Sequence, residues 1–184
     1  MSKTKLTPEQ SKIYLERWNL VAFYRGLVLN RYTEIEFLIE MIISHHFCAD
    51  LEKANELRHR LICDGRLMTF ETKWKLLRAI INTHYTDFKD KYPDLLNKVK
   101  KLQEIRNIVG HRKVLTNDNY LQEFDGNNVA FENFEIDKDT LEIELLSEPF
   151  NKNKSAEIES MAASLVFPLE ELLNIVFPQK AKSE

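Results

Sequence analysis

A long run of apolar residues at helical spacing, over residues 7–47, constrains the fold of this chain most strongly. Thr7, Pro8 and Gln10 supply an N-cap hydroxyl, a proline at the first helical position and a capping-box partner. The pattern therefore predicts one long helix that begins here and reaches about Phe47, with Gly26 as a candidate bend. Its apolar face is formed by Tyr14, Trp18, Val21, Val28, Tyr32, Ile35, Ile39 and Ile43.

Three more helices are predicted before residue 115. The second covers Asp50–Cys63, the third covers about Thr69–Phe88, and Pro93 opens the fourth. One side of the second helix carries Leu51, Ala54, Leu57 and Leu61. The third has a seam that must be buried, formed by Phe70, Trp74, Leu77, Ile81, His84 and Phe88. The interior face of the fourth is formed by Leu95, Val99, Leu102, Ile105 and Val109.

The pattern changes to period two after Thr116 and then returns to helical spacing. Turn residues at Asp125-Gly126 and at 137–139 separate short β-prone segments, which predict two or three small antiparallel strands. A last helix is predicted over about Ser155–Phe177, kinked or interrupted at Pro168. The β-prone residues are Val129, Phe131, Ile136, Leu141, Ile143 and Leu145.

These elements predict a mainly α fold, an up-and-down helical bundle with a small antiparallel β appendage. At 184 residues the chain is long enough for one core, and its 4 Gly and 5 Pro form no linker. We therefore expect a single domain over residues 1–184. It divides into a helical core at 8–115, a β segment at 116–150 and a C-terminal helix at 151–178 that packs on the core.

Composition limits the cellular compartment in which we expect this protein and the classes of partner that it can bind. The sequence has neither a secretory stretch nor an apolar run that could cross a bilayer, so we expect a cytoplasmic protein without a membrane partner. Cys48 and Cys63 are then packing residues rather than a disulfide. A net charge of -3 argues against indiscriminate coating of nucleic acid. The segment 98–113 is nevertheless basic, which fits either local attraction of a polyanion or a solvated helix face.

The fourth helix ends in EIRNIVGHRK, residues 104–113, where charged and polar residues meet the apolar stripe. With about 100 degrees per residue, Arg106 lies about 20 degrees from Leu95, inside that stripe, whereas Asn107 and His111 share another one. Arg106 and His111 are then poorly placed to meet on one helix. We expect them to surround one ligand when a second copy packs about a twofold axis, with Gly110 allowing close approach.

These residue types suit cleavage of an RNA phosphodiester by its neighbouring 2′-hydroxyl. His111 can transfer a proton near neutral pH, and Arg106 can hold the nonbridging oxygens as negative charge accumulates. The scheme needs neither a cofactor nor a metal ion. The structural alternative is that Arg106 is a buried ion-pair residue and that the helix dipole favours His111 at a C-terminus.

RNIVGH, residues 106–111, resembles the signature of the HEPN superfamily: arginine, a polar residue, three variable positions and histidine on a late helix of a bundle. The long first helix, which ends in RYTEIEFLIEMIISHHF, extends the resemblance to about residues 10–115. It implies a metal-independent endoribonuclease, usually a homodimer with facing motifs, often in toxin–antitoxin or antiphage systems. Arg106 and His111 match the catalytic pair, and Asn107 matches the polar position that supports them.

An acidic residue of the first helix often accompanies such sites, and Glu36 is the candidate here. We hypothesise that Glu36 orients Arg106; the alternatives are pairing with Arg25 or simple exposure. The main functional alternative is a catalytically inactive module that binds RNA or a protein partner, including an antitoxin. A third possibility is an antitoxin-like or scaffold protein in which the motif is structural. His45, His46, Cys48, His59 and Cys63 form no recognised metal-ligand pattern.

Overall fold

A computed structural model gives the structure of residues 7–114, 126–136 and 143–177. In these ranges the protein is mainly helical with a small two-stranded antiparallel sheet, which confirms the predicted α class with a β appendage. None of the helices in the described part is long and apolar enough to span a bilayer. The helices are α1 (Pro8–Phe47), α2 (Leu51–Leu57), α3 (Phe70–His84), α4 (Thr86–Lys91), α5 (Leu95–His111) and α6 (Lys152–Val176).

Helix α1 begins with the predicted capping box and runs for 40 residues. The Gln10 amide donates to Thr7 Oγ1 at 3.2 Å, and the Thr7 amide donates to Gln10 Oε1 at 2.9 Å. Two backbone donors that have no partner inside the helix are thereby satisfied. The helix continues through Gly26 without interruption, as predicted, and a bend at Gly26 stays a prediction.

Helix α2 begins at the predicted position but ends in a wider turn. Asp50 caps it by accepting a 2.9 Å hydrogen bond from the Lys53 amide, and Arg58–Ile62 then forms a π-helical turn. A π turn holds more residues than an α turn, so it shifts which side chain faces inward. Ile62 is accordingly 1% exposed while Leu61 is 48% exposed. Of the residues predicted on one side of this helix, Ala54 is buried, whereas Leu51 and Leu61 are exposed.

The predicted third helix is two helices. Thr69 caps α3 through a bond from the Thr72 amide, and helical geometry ends at Tyr85 before α4 begins. His84 is the last residue of α3 and is exposed, so its predicted place in the buried seam is wrong. The seam itself exists, because Leu77, Ile81 and Phe88 are buried.

Strands β1 (Val129–Ile136) and β2 (Ile143–Phe150) pair antiparallel, with Val129 opposite Phe150 and Ile136 opposite Ile143. The structure thus gives two of the two or three predicted strands. Gly126 precedes β1 with a φ of +78°, in the left-handed region that glycine adopts without steric cost. The predicted turn residues Asp125 and 137–139, together with Leu141, lie outside the described residues.

Helix α6 begins three residues before its predicted start and is not interrupted at Pro168. Asn151 Oδ1 accepts a 3.0 Å hydrogen bond from the Lys154 amide and so caps its first turn. Pro168 removes one backbone donor inside the helix. Leu165, Leu169 and Leu172 on either side of it are fully buried, and their packing keeps the helical course despite the lost bond.

The chain forms two compact units. Unit 1 comprises Met1–Asn30 and Ile105–Glu159, and unit 2 comprises Arg31–Glu104 and Ser160–Glu184. That the two units belong to a single domain over residues 1–184 stays a prediction. The core of unit 1 contains Val21, Tyr24, Val28, Ile105, Val109, Val129, Phe131, Phe150 and Ile158. That of unit 2 contains Ile35, Ile39, Ile42, Ile43, Ala54, Ile62, Leu77, Ile80, Ile81, Leu102, Leu165 and Leu172.

Candidate functional site

The end of α5, in unit 1, presents the predicted site residues on a partly buried helix. Ile105 and Val109 are buried and fix the inner face of this last part of the helix. Arg106 is half-buried beside them, whereas Asn107 and His111 are exposed. Arg106 therefore occupies the border between the apolar stripe and solvent, where its guanidinium can reach exposed groups.

Arg106, Asn107 and His111 meet within one chain. The Arg106 Nη1 donates to His111 Nε2 at 2.7 Å and to Asn107 Oδ1 at 3.2 Å. The expectation that Arg106 and His111 are poorly placed to meet on one helix is therefore wrong. Helical arithmetic gives the direction in which a side chain leaves the backbone. It ignores the reach of the arginine side chain, which covers the rise of about 7.5 Å over five residues.

The contact defines which nitrogen of the imidazole faces Arg106. A guanidinium has donors and no acceptor, so His111 Nε2 is the accepting atom in this contact. A neutral imidazole is the form that can accept a proton from a hydroxyl group, and its exposed position allows a substrate to approach.

Arg25 of α1 holds the end of α5, a role that the sequence analysis missed. Its Nε donates to the carbonyl oxygen of Val109 and its Nη2 to that of Arg112, both at 2.9 Å. The last carbonyl groups of a helix have no partner inside it, and the negative end of the helix dipole favours a cation there. The only available signal was the position of Arg25 within about 40 degrees of the apolar face of α1.

The segment after α5 is also attached to the sheet of unit 1. Val114 forms an isolated antiparallel bridge with Phe131 of β1. The Arg25 guanidinium lies 5.6 Å from the centre of the Phe131 ring, within the range of a cation–π interaction. His111 therefore lies between two anchored points, the carbonyl group of Val109 and the bridge at Val114.

Packing inside this chain does not require glycine at position 110. A Cβ atom built there would lie 3.8 Å from Leu29 Cδ2, which is an ordinary van der Waals distance. The expected role of Gly110 in the close approach of a second copy stays a prediction.

Glu36, in unit 2, binds a cation that the sequence analysis did not consider. Lys73 Nζ lies 2.6 Å from both Glu36 Oε1 and Glu40 Oε1, and it is 2% exposed. Burial disfavours its ammonium form, but the hydrogen bonds to the two carboxylates outweigh burial and raise the pKa of Lys73. The alternative pairing of Glu36 with Arg25 is wrong, because backbone carbonyls bind Arg25. A role of Glu36 toward Arg106 stays a hypothesis.

Part of the positive charge of the basic segment 98–113 is neutralised by an ion pair inside the protein. Lys100 forms an ion pair with Glu71, and its ammonium group lies 5.3 Å from the Trp74 ring centre. Lys98, Lys101 and Lys113 are exposed. Lys98 and Lys113 place positive charge at the surface, which is what electrostatic attraction of a polyanion requires.

Comparisons with protein-family models, curated proteins and solved structures found no match to this chain. Within residues 7–114, 126–136 and 143–177, no group of three His, Cys, Asp or Glu side chains is arranged to hold a metal ion. Cys48 and Cys63 are free thiols. The donors gathered at the end of α5 suit recognition of a phosphate group, and the imidazole beside them suits proton transfer.

Proposed function

We propose that this chain is a HEPN-type endoribonuclease that cuts RNA without a metal ion, with Arg106 and His111 as catalytic residues and Asn107 in support. The observation that carries the proposal is the 2.7 Å contact between Arg106 Nη1 and His111 Nε2 in one chain. It supports the proposal because a guanidinium, which can bind phosphate, lies directly beside an imidazole, which can transfer a proton. The toxin–antitoxin or antiphage setting implied by the HEPN resemblance belongs to the same proposal.

In the proposed reaction, RNA displaces the contact that Arg106 makes with His111. A guanidinium binds phosphate oxygens with charge-assisted hydrogen bonds, which are stronger than a bond to a neutral imidazole. Binding of the scissile phosphate by Arg106 then releases His111 Nε2. The imidazole becomes available as a base when the substrate is in place.

The chemical step uses the 2′-hydroxyl next to the scissile phosphate. His111 accepts its proton, the 2′ oxygen bonds to phosphorus, and the bond from phosphorus to the 5′ oxygen breaks. The leaving oxygen takes a proton from solvent. Arg106 stabilises the charge that develops on the nonbridging oxygens. The products carry a 2′,3′-cyclic phosphate and a 5′-hydroxyl end.

A homodimer is part of the proposal, and exposed apolar residues of α1 support it. Leu15 is 61% exposed, Phe23 60% and Trp18 43%, all in unit 1 together with the Arg106–His111 pair. Contiguous exposed apolar patches mark protein interfaces, so these residues are the proposed contact surface. The contact within one chain removes the geometric reason for building each site from the Arg106 of one chain and the His111 of the other.

Cleavage of end-labelled RNA in EDTA tests the function. We expect Arg106→Ala and His111→Ala to lose at least about a hundredfold in rate, as loss of a charge-stabilising or acid–base group does. Arg60→Ala and His84→Ala remove the same residue types at exposed positions and should keep the wild-type rate. A single 2′-deoxy substitution at the cut site should block cleavage.

Two results would contradict the proposal. Cleavage of the 2′-deoxy substrate would exclude attack by the 2′-hydroxyl, and wild-type rates in the His111 variant would remove the proposed base. Equal RNA binding without cleavage by all the proteins would favour the inactive RNA-binding module. Glu36→Gln belongs in the same assay, because an unchanged rate would remove Glu36 from the site.

A further inference from the structure

Two histidine rings lie in contact at the ends of two helices of unit 2. His46 is in the last turn of α1 and His84 is the last residue of α3. Their ring centres are 4.9 Å apart, and the ring planes are inclined by 49°. Because α2 and the π turn separate the two helices in the sequence, it is the fold that brings these rings together. Neither residue belongs to the proposed nuclease site, which lies in unit 1.

The ring nitrogens of both histidines are available to a ligand. Within the part of the chain that the structure describes, these nitrogens form neither a hydrogen bond nor an ion pair. His84 is exposed and His46 is half-buried. The described polar atoms that are buried without a partner include Nδ1 of His45 but no ring nitrogen of His46. A solvated ion can therefore reach both rings.

The electrostatics of this place favour a cation bound by uncharged rings. Burial lowers the pKa of His46, and repulsion from a charged His84 lowers it further. His46 is therefore mainly neutral near pH 7, and a neutral imidazole has one nitrogen with a free lone pair. Both rings lie at the C-terminal ends of helices, where the negative end of each helix dipole attracts positive charge.

The separation of the rings fits two ligands of one metal ion. A Zn–N bond of about 2.0–2.1 Å places the ion about 3.2 Å from each ring centre. The ring centres are then about 5.2 Å apart at the tetrahedral angle and about 4.5 Å apart at a right angle. The observed 4.9 Å lies between these values. Imidazole nitrogen suits Zn²⁺, Cu²⁺ and Ni²⁺, whereas Mg²⁺ and Ca²⁺ take oxygen ligands.

We propose that His46 and His84 bind one divalent first-row transition-metal ion, with water completing its coordination. Two protein ligands make an open site, and the bound ion joins the end of α1 to the end of α3. The proposed nuclease uses no metal ion and its assay contains EDTA, so either proposal can fail without the other.

Isothermal titration calorimetry with Cu²⁺, Zn²⁺ and Mg²⁺ tests the proposal on the full-length chain without a histidine tag. We expect one Zn²⁺ or Cu²⁺ per chain, tighter binding of Cu²⁺ than of Zn²⁺, and no binding of Mg²⁺. In NMR spectra, Zn²⁺ should shift the ring resonances of both His46 and His84. The midpoint of thermal unfolding should rise with the Zn²⁺ concentration, because the unfolded chain does not hold the two rings together.

Variants locate the bound ion. His46→Ala and His84→Ala should each weaken Zn²⁺ binding at least about tenfold, because even groups that only orient a metal ligand contribute about 10–100-fold. His59→Ala removes an exposed histidine of the same unit and should leave the dissociation constant unchanged.

The proposal is overturned if neither Zn²⁺ nor Cu²⁺ binds, or if Mg²⁺ binds as tightly as they do. It is also overturned if Zn²⁺ shifts the resonances of only one of the two histidines, or if only one of the two variants loses affinity. The resonance measurement needs no substitution, so it decides the question even if His46→Ala does not fold. Unchanged affinity in both variants would place the ion elsewhere and would refute this site.

Discussion

Arg25 is not part of the candidate site, but the geometry of the site depends on it. Its two hydrogen bonds, to the carbonyl groups of Val109 and Arg112, join α1 to the last turn of α5. His111 lies between those two carbonyl groups in the sequence. A side chain that satisfies two helix-terminal carbonyls at once limits fraying of that turn.

Arg25→Met should therefore destabilise unit 1 by about 1–3 kcal/mol, because two carbonyl groups lose a charged donor. Amide hydrogen exchange should accelerate at residues 109–112 more than elsewhere. Arg31→Met makes the same substitution at a more exposed position of α1, where the arginine pairs with Glu34 on the surface, and should cost less than about 1 kcal/mol. If urea unfolding gives the same loss of stability for Arg25→Met and Arg31→Met, then the contacts of Arg25 with the carbonyl groups do not stabilise the protein more than a surface ion pair does.

Gly110→Ala separates the two explanations for this glycine. Within one chain the added methyl group meets Leu29 at an ordinary distance, and alanine favours a helix over glycine by about 0.8–1 kcal/mol. We expect a more stable chain by thermal unfolding. If a second copy packs on Gly110, the same variant should weaken association in sedimentation measurements. Unchanged association would remove Gly110 from the interface.

At the residue scale the sequence identified Arg106, Asn107 and His111 but not their geometry. Periodicity gives the angle of each side chain around a helix, and it placed Arg106 inside the apolar stripe, whereas the side chain is half-buried at the border of that stripe. The contact with His111 depends on the length and rotamer of the arginine. The partner of Glu36 depends on α3, which lies more than thirty residues further along the chain. No local pattern encodes either distance.

At the scale of elements, α1 and α3 are joined in unit 2 by a buried charge cluster. Lys73 binds Glu36 and Glu40, and Arg58 lies 3.4 Å from the second carboxylate. Two cations and two anions balance each other, so each ion depends on its partners. Removing one partner of such a cluster leaves an uncompensated buried charge, which is more costly than the net contribution of the intact pair.

Lys73→Met should therefore destabilise the protein by about 3 kcal/mol or more in urea unfolding. Lys75→Met, two residues further along α3, removes an exposed lysine and should cost less than about 1 kcal/mol.

Because the folded state raises the pKa of Lys73, the contribution of Lys73 to the free energy of unfolding is complete below the ordinary pKa of lysine. It disappears as the pH rises through the higher folded value. Wild-type stability should thus fall at strongly alkaline pH, and that fall should be smaller in Lys73→Met. A parallel fall in both proteins would show that Lys73 does not cause it.

The elements were predictable where periodicity was long and less so where it was short. Helix α1 begins with a capping box and keeps a helical periodicity of apolar residues over its 40 residues, so its bounds follow from the sequence. The π turn at Arg58–Ile62 and the end of α3 at Tyr85 contain no proline or glycine that would signal them in the sequence. The predicted interruption at Pro168 is wrong, because α6 continues through it with buried leucines on both sides, whereas a kink there stays a prediction.

At the scale of the whole molecule, three helices contribute residues to both compact units. The boundaries fall inside α1, after Asn30, inside α5, after Glu104, and inside α6, after Glu159. Sequence patterns predicted the mainly helical class and the small sheet. They did not predict this division, because composition shows no linker and helical periodicity continues across each boundary.

Mixed dimers decide whether one chain or two supply each proposed catalytic pair. Since Arg106 and His111 of one chain are in contact, we expect a wild-type chain paired with the Arg106→Ala/His111→Ala double variant to keep about half of the activity. A dimer of one Arg106→Ala chain and one His111→Ala chain should be inactive, because neither chain retains a complete pair. Two affinity tags allow each mixed dimer to be purified, and the RNA assay in EDTA gives its rate.

If instead the two single variants complement each other and the wild-type/double-variant dimer is inactive, then Arg106 and His111 act across the twofold axis. A chain that remains monomeric at assay concentrations with full activity would exclude the dimer from the mechanism while leaving the pair within one chain as the site.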